Sequence, residues 1–222
     1  MTEISSKFKA HTVYKTANGI RVPGVTTITA ELGWSKETLC KWHNRMGREG
    51  IDTSKYVTDK ADIGTLAHRM VECYLTGETL DTSDYSKNQI DTAENCLISF
   101  YEWEKSNAIK VLHHELQLVS ETYGFGGTLD LHGMVNLIYE ISDLKTGSGI
   151  YPEHFVQVGG YCILADEHKI PYQRARIINI PRNEDEEFSQ KIIPNLEVAK
   201  QIFLKCLDIY KLKSQLKKEG SK

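Results

Sequence analysis

The sequence predicts an α/β protein built on a mixed sheet, with helices before and after the strands. Three observations predict it. Residues 58 to 75 place Leu66, Ala67, Met70, Val71, Tyr74 and Leu75 at the i, i+3, i+4 spacing of an amphipathic helix. Three β-like runs then follow one another at 109 to 119, 126 to 135 and 137 to 146. A helix opened by Pro152 and running to about 166, then a strand at 172 to 180, complete an order of helix, three strands, helix, strand.

From the start of the chain, HTVYK and GIRVP flank an Asn18-Gly19 turn, so a short β-ribbon is expected there. Residues 25 to 48 read as helical and hold Trp34, Lys36, Lys41, Trp42, Arg45 and Arg48. Basic and aromatic side chains interleaved in this way can grip a single strand by phosphate pairing and base stacking, which makes Trp42 and Arg45 substrate-binding candidates. A packed tryptophan beneath a solvated basic face gives the same pattern. In the next helix His68 and Glu72 lie together, off the apolar stripe. A polar loop spans 76 to 85, and Ser86 is placed to cap a helix through Ile90, Ala93, Leu97, Phe100 and Tyr101 towards Asn107. Beyond the last strand, 184 to 217 reads as one long C-terminal helix. Lys211, Lys213, Lys217, Lys218 and Lys222 gather at its end, where they suit the helix dipole and could also touch DNA.

One domain over 1 to 222 is expected, with the ribbon and basic-aromatic region in 1 to 57, the core in 58 to 182, and the C-terminal helix and basic tail in 183 to 222. A composition 40% hydrophobic and 26% charged excludes a disordered chain. No apolar run approaches the roughly twenty residues that span a bilayer, and the first residues have no apolar stretch like a signal peptide, so a cytoplasmic protein without membrane contact is expected. The five cysteines are scattered and never in CxxC, which argues for reduced thiols. A net charge of -3 counts against a protein that coats nucleic acid by global electrostatics, yet suits carboxylates gathered around a metal.

The chemistry is concentrated in the three runs. Asp143 and Lys145 in SDLKT are two residues apart and so share a strand face, which sets a carboxylate beside an ammonium. Thr128, Asp130 and His132 share a face of the preceding strand, while Leu129 and Leu131 are expected to point together into a core. The connection between these strands is short, so they should be neighbours, with Asp130 and Asp143 converging on one cation. A hairpin centred between Thr122 and Tyr123 would put Glu115 directly across from Asp130, whereas a one-residue slip would remove it from that face. Hard oxygen ligands with an imidazole such as His68 suit Mg²⁺ or Mn²⁺. Asp-x-Lys by itself recurs by chance in exposed strands. In the helix after Lys145, Gln157 and Tyr161 share a face, and Gly159 and Gly160 between them permit close approach of another backbone or of a nucleic-acid strand.

Taken in order, GTLAH with His68, the upstream Glu115, GGTLD with Asp130, SDLKT with Asp143 and Lys145, and QVGGY with Gln157 and Tyr161 resemble the PD-(D/E)xK nuclease superfamily, in its RecB-type and phage-type exonuclease branch. The motif layout is also similar to the mitochondrial genome-maintenance exonuclease. The resemblance covers Pro23 to about Arg182, and it departs in having Leu129 where the motif has its nominal proline.

It implies a restriction-endonuclease-like αβββαβ core and metal-dependent hydrolysis of DNA from an end, in recombination, repair or degradation. His68, Asp130, Asp143 and the backbone carbonyl of Leu144 would be metal ligands for one or two Mg²⁺ or Mn²⁺ ions. Lys145 would be the catalytic lysine, Glu115 an outer carboxylate, and Gln157 and Tyr161 supports of the site or contacts to the strand. Iron-sulfur members of this branch have a set of closely spaced downstream cysteines where this chain has the lone Cys206, so no cluster is expected. A single- or double-stranded DNA end would be the partner, with a helicase or single-strand annealing protein beside it, in a bacterial or phage-infected cytosol. The alternatives are a structure-specific endonuclease of the same fold and a non-catalytic recombination accessory, the latter at odds with the retained carboxylates and lysine.

Overall fold

The computed structural model describes residues 12 to 220. The first eleven residues, on which the signal-peptide expectation rests, and Lys222 of the basic tail lie outside them. Strands β1 (Tyr14–Lys15) and β2 (Arg21–Val22) form the expected ribbon around the Asn18-Gly19 turn, with Gly19 at φ 78°. The helical region that follows is two helices, α1 (Val25–Thr29) and α2 (Lys36–Arg48), and not one. Gly33 at φ 61° lies in the break, a left-handed conformation that a helix cannot contain.

The long helix α3 (Thr53–Thr76) starts where the Asp52 carboxylate accepts from the amides of Ser54 and Lys55, and stops at Gly77 with φ 73°. The Ser86-Gln89 capping box opens α4 (Lys87–Lys105). Strands β3 (Ile109–Ser120), β4 (Phe125–Val135) and β5 (Ile138–Thr146) follow, then α5 (Pro152–Glu167) and β6 (Arg174–Ile180). The αβββαβ order is therefore present.

The expected C-terminal helix over 184 to 217 is corrected. Its first part is instead a strand, β7 (Ser189–Ile193), and α6 spans Glu197–Glu219. Pro194 between them has no amide to donate and its ring would clash in a helix interior. β7 completes a mixed sheet of order β3-β4-β5-β6-β7, antiparallel except where the α5 crossover makes β5 and β6 parallel.

Helices cover both faces. On one, Phe125, Leu129, Ile141 and Ile177 pack against Leu164 of α5, Phe203 of α6 and Ile28 of α1. On the other, Leu131, Leu144 and Ile178 pack against Leu66 of α3 and Phe100 and Trp103 of α4. Each such fully buried side chain is worth about 2 kcal/mol of transfer free energy. Gly159 and Gly160 serve the first face: a Cβ on Gly159 would stand 2.7 Å from the Ala199 backbone, and one on Gly160 2.6 Å from the Phe203 ring. Of the two uses expected of this glycine pair, close approach to another backbone is the one present, and it seats α6. No helix among the described residues is long and apolar enough to cross a membrane.

Candidate active site

The site lies where β4 and β5 part. Their ladder runs from Val135↔Ile138 to Leu131↔Ser142. Asp130 is the next residue of β4, and its carboxylate accepts from the Leu144 amide at 2.7 Å, so a side chain takes over an amide that the ladder has released. The expected alternation along β4 is broken here. Leu129 joins the core under α5 and Leu131 the core under α3 and α4, so these leucines do not point the same way. Glu115, opposite, has φ 44°, a positive value that marks a local kink in β3.

The β3–β4 register is the one that the hairpin reading required. Leu116 pairs with Leu129 and His114 with Leu131, which sets Glu115 across from Asp130. His68 reaches the same place from α3, with Nδ1 3.7 Å from Asp130 Oδ1. Candidate donor atoms of His68, Glu115 and Asp130 all lie within 4.8 Å of one another. Helix α3 can come this close because residue 64 is glycine: a Cβ there would stand 2.9 Å from Thr146 Oγ1, just past Lys145.

Asp143 is 1% exposed. Its Oδ2 is 2.6 Å from Lys145 Nζ as an ion pair but finds no hydrogen bond of good geometry among the described residues, and its Oδ1 receives only a long 3.5 Å contact from Gln157 Nε2. Gln157 also donates to the Tyr161 hydroxyl at 2.8 Å, so the pair from α5 backs the carboxylate. Burial pushes the Asp143 carboxyl up to about 7, with Lys145 opposing and Asp130 adding to the rise. Burial, then the charges of Asp130 and Glu72, push Glu115 up to about 8 against the pull of Arg69. A buried and two part-buried carboxylates crowded in this way are what a divalent cation would neutralise. The donor set of carboxylates and one imidazole fits Mg²⁺ or Mn²⁺.

His68, Glu115, Asp130, Asp143, Leu144, Lys145, Gln157 and Tyr161 line one cavity of about 940 Å³. Trp42 and Arg45 do not belong to its described lining. They stand on α2, where Trp42 packs 4.8 Å from the His43 ring and 5.7 Å from that of Tyr56, and Arg45 is exposed. Residues beyond the sequence expectations also line the cavity. Glu72, one helical turn beyond His68, bonds Arg69, which in turn reaches Glu78 at 2.9 Å. Its shared face with His68 was the available signal. Tyr14, from the ribbon, places its hydroxyl 2.8 Å from Thr128 Oγ1. Nothing in its local sequence signals this.

No family model matches the chain, and no curated protein does. Among solved structures it is similar to a candidate exonuclease from Eubacterium rectale, at 12% identity and TM-score 0.45, covering 64% of each chain. It is also similar to an alkaline exonuclease from Laribacter hongkongensis, at 16% identity and TM-score 0.36, covering 69% of this chain and 84% of that one. A phage-related exonuclease from Haemophilus somnus 129PT gives 14% and 0.36, with 68% and 82% covered. Likenesses of this size leave the chemistry to be read from the site itself.

Proposed function

We propose that this chain is a metal-dependent deoxyribonuclease that hydrolyses phosphodiester bonds from DNA ends. The observation that carries the reading is the convergence of His68, Glu115 and Asp130 beside a buried Asp143 whose Oδ2 has only Lys145 against it. His68, Asp130, Asp143 and the Leu144 carbonyl would hold Mg²⁺ or Mn²⁺. When bound, such an ion lowers the pKa of a water and offsets charge on a phosphoryl transition state. Lys145, fixed by Asp143, orients the attacking water and neutralises charge building on the phosphate. Gln157 and Tyr161 hold Asp143 in place from behind, and Glu115 supplies an outer carboxylate. Trp42 and Arg45 on α2 would guide the strand. The motif order that resembles RecB-type and phage-type exonucleases supports action at an end, with any unwinding or annealing left to a partner protein.

The test is cleavage of end-labelled linear DNA and of closed circles with Mg²⁺ or Mn²⁺. Linear DNA should be shortened from its ends and circles spared; equal cutting of circles would make the protein an endonuclease. Lys145→Ala and Asp143→Asn should each lower the rate by about two to three orders of magnitude, the usual cost of losing a charge that acts on the transition state. Unchanged processing in both would show that this site is not catalytic.

A further inference from the structure

The carboxylates of the cavity, once ionised around a metal, can only accept hydrogen bonds, and two of its cations are already engaged, Lys145 with Asp143 and Arg69 with Glu72 and Glu78. A phosphodiester entering the cavity needs donors too. Thr12, Tyr14 and Thr128, which line the same cavity, can supply one. The Tyr14 hydroxyl is 2.8 Å from Thr128 Oγ1, and Thr12 lines the cavity beside them. A phenol is a stronger acid than an alkyl alcohol and so the better donor of the two; with Tyr14 donating to Thr128, the threonine keeps its own proton free.

The position of the Tyr14 ring is set by packing. The Tyr14 ring lies so close over β4 that a Cβ on Gly126 would stand 2.4 Å from its Cγ, and one on Gly24 3.1 Å from its edge. A Cβ on Gly127 would instead meet Val25, Leu164 and Tyr161 on the other face. The double glycine before Thr128 thus lets a tyrosine ring and α5 press on β4 from opposite sides. Thr128 and Asp130, two residues apart, both turn away from the face on which Gly127 and Leu129 meet α5.

We propose that the Thr128 hydroxyl is the neutral donor that holds a phosphate oxygen of the DNA strand on the β4 side of the site, and that Tyr14, donating to it, is the positioning residue that turns its proton there. This inference rests on the nuclease reading above.

Tyr14→Phe keeps the ring over Gly126 and removes only the bridging hydroxyl, Thr128→Val removes the donor, and Thr128→Ser keeps it. With Mg²⁺ or Mn²⁺ on end-labelled DNA, Tyr14→Phe and Thr128→Val should each lower kcat/KM about tenfold, the size of one neutral hydrogen bond, with the thermal midpoint little changed. Thr128→Ser should stay within about twofold of the wild type, and the double variant should fall no further than the worse single one, because both remove the same chain of bonds. Wild-type kcat/KM in Tyr14→Phe and Thr128→Val, failure of serine to preserve it, or additive losses would overturn the inference. If Asp143→Asn is dead while both hydroxyl variants are fully active, this inference alone fails. No cleavage by the wild type with either metal would overturn the nuclease reading as well.

Discussion

Strand β5 carries two carboxylates that are equally buried and differently furnished. Glu140 and Asp143 are each 1% exposed. Glu140 accepts from Arg176 Nε at 2.7 Å and Nη2 at 2.9 Å, and from Arg174 Nε, so both of its oxygens are satisfied by guanidinium groups. Arg176 passes the restraint on to Gln190 of β7, which also accepts from the Trp103 indole of α4. Asp143 has one ammonium beside Oδ2, which makes no hydrogen bond of good geometry there, and one long amide contact on Oδ1. A buried charge closed off by its own protein is a structural member, whereas one left incomplete at the wall of a cavity is equipped for a ligand.

The sharpest way to break this comparison is to remove each carboxylate. Glu140→Ala leaves Arg176 buried without its partner and should cost about 3–5 kcal/mol of folding stability, read from urea denaturation, while the molecules that remain folded cleave DNA at the wild-type rate. Asp143→Asn should do the reverse, changing stability by less than about 1 kcal/mol while abolishing most cleavage. Equal losses of stability in the two variants would mean that Asp143 is structural as well.

A smaller effect is expected at the imidazole. His68 stands 3.7 Å from Asp130 on α3, and His68→Ala should weaken Mn²⁺ binding measured by calorimetry about 10- to 100-fold. DNA affinity should change much less. Unchanged metal binding would remove His68 from the ligand set and leave it as a support to Asp130.

Much of this arrangement was legible in the chain because it depends on local periodicity. Asp143 and Lys145 share a face of β5 by alternation, and the hairpin register that sets Glu115 against Asp130 follows from the position of one turn. Other parts depend on contacts between distant segments. Tyr14 meets Thr128 across 114 residues, and only the packing of the ribbon on Gly126 makes it part of the cavity. Strict alternation along β4 also fails at Asp130, whose flanking residues Leu129 and Leu131 end in different cores. Strand β7 is a different case: the apolar and charged residues around Pro194 also fit a helical stripe, and only the unfilled edge of β6 decides for a strand.

Glu167 extends the comparison to a carboxylate near the surface, and its effect should be the smallest. It closes α5 onto the β3–β4 turn by accepting from the Ser120 hydroxyl at 2.5 Å, the amides of Glu121 and Thr122 at 3.0 and 3.1 Å, and the Thr122 hydroxyl at 3.1 Å. Burial pushes its carboxyl up, but these bonds from Ser120, Thr122 and Glu121 together outweigh it and hold the group below the usual carboxylate range. A carboxyl depressed in the folded state contributes stability that is fully present above its unfolded value, about 4.3, and is lost as pH falls through the lower folded value. Glu167→Gln should therefore lower the urea midpoint at pH 6 and leave it nearly unchanged at the acid end, flattening the wild-type decline between them. The same variant should cleave DNA normally, because its carboxylate is satisfied by the turn that it holds. A decline in acid as steep as the wild type's would transfer that pH dependence to other carboxylates of the fold.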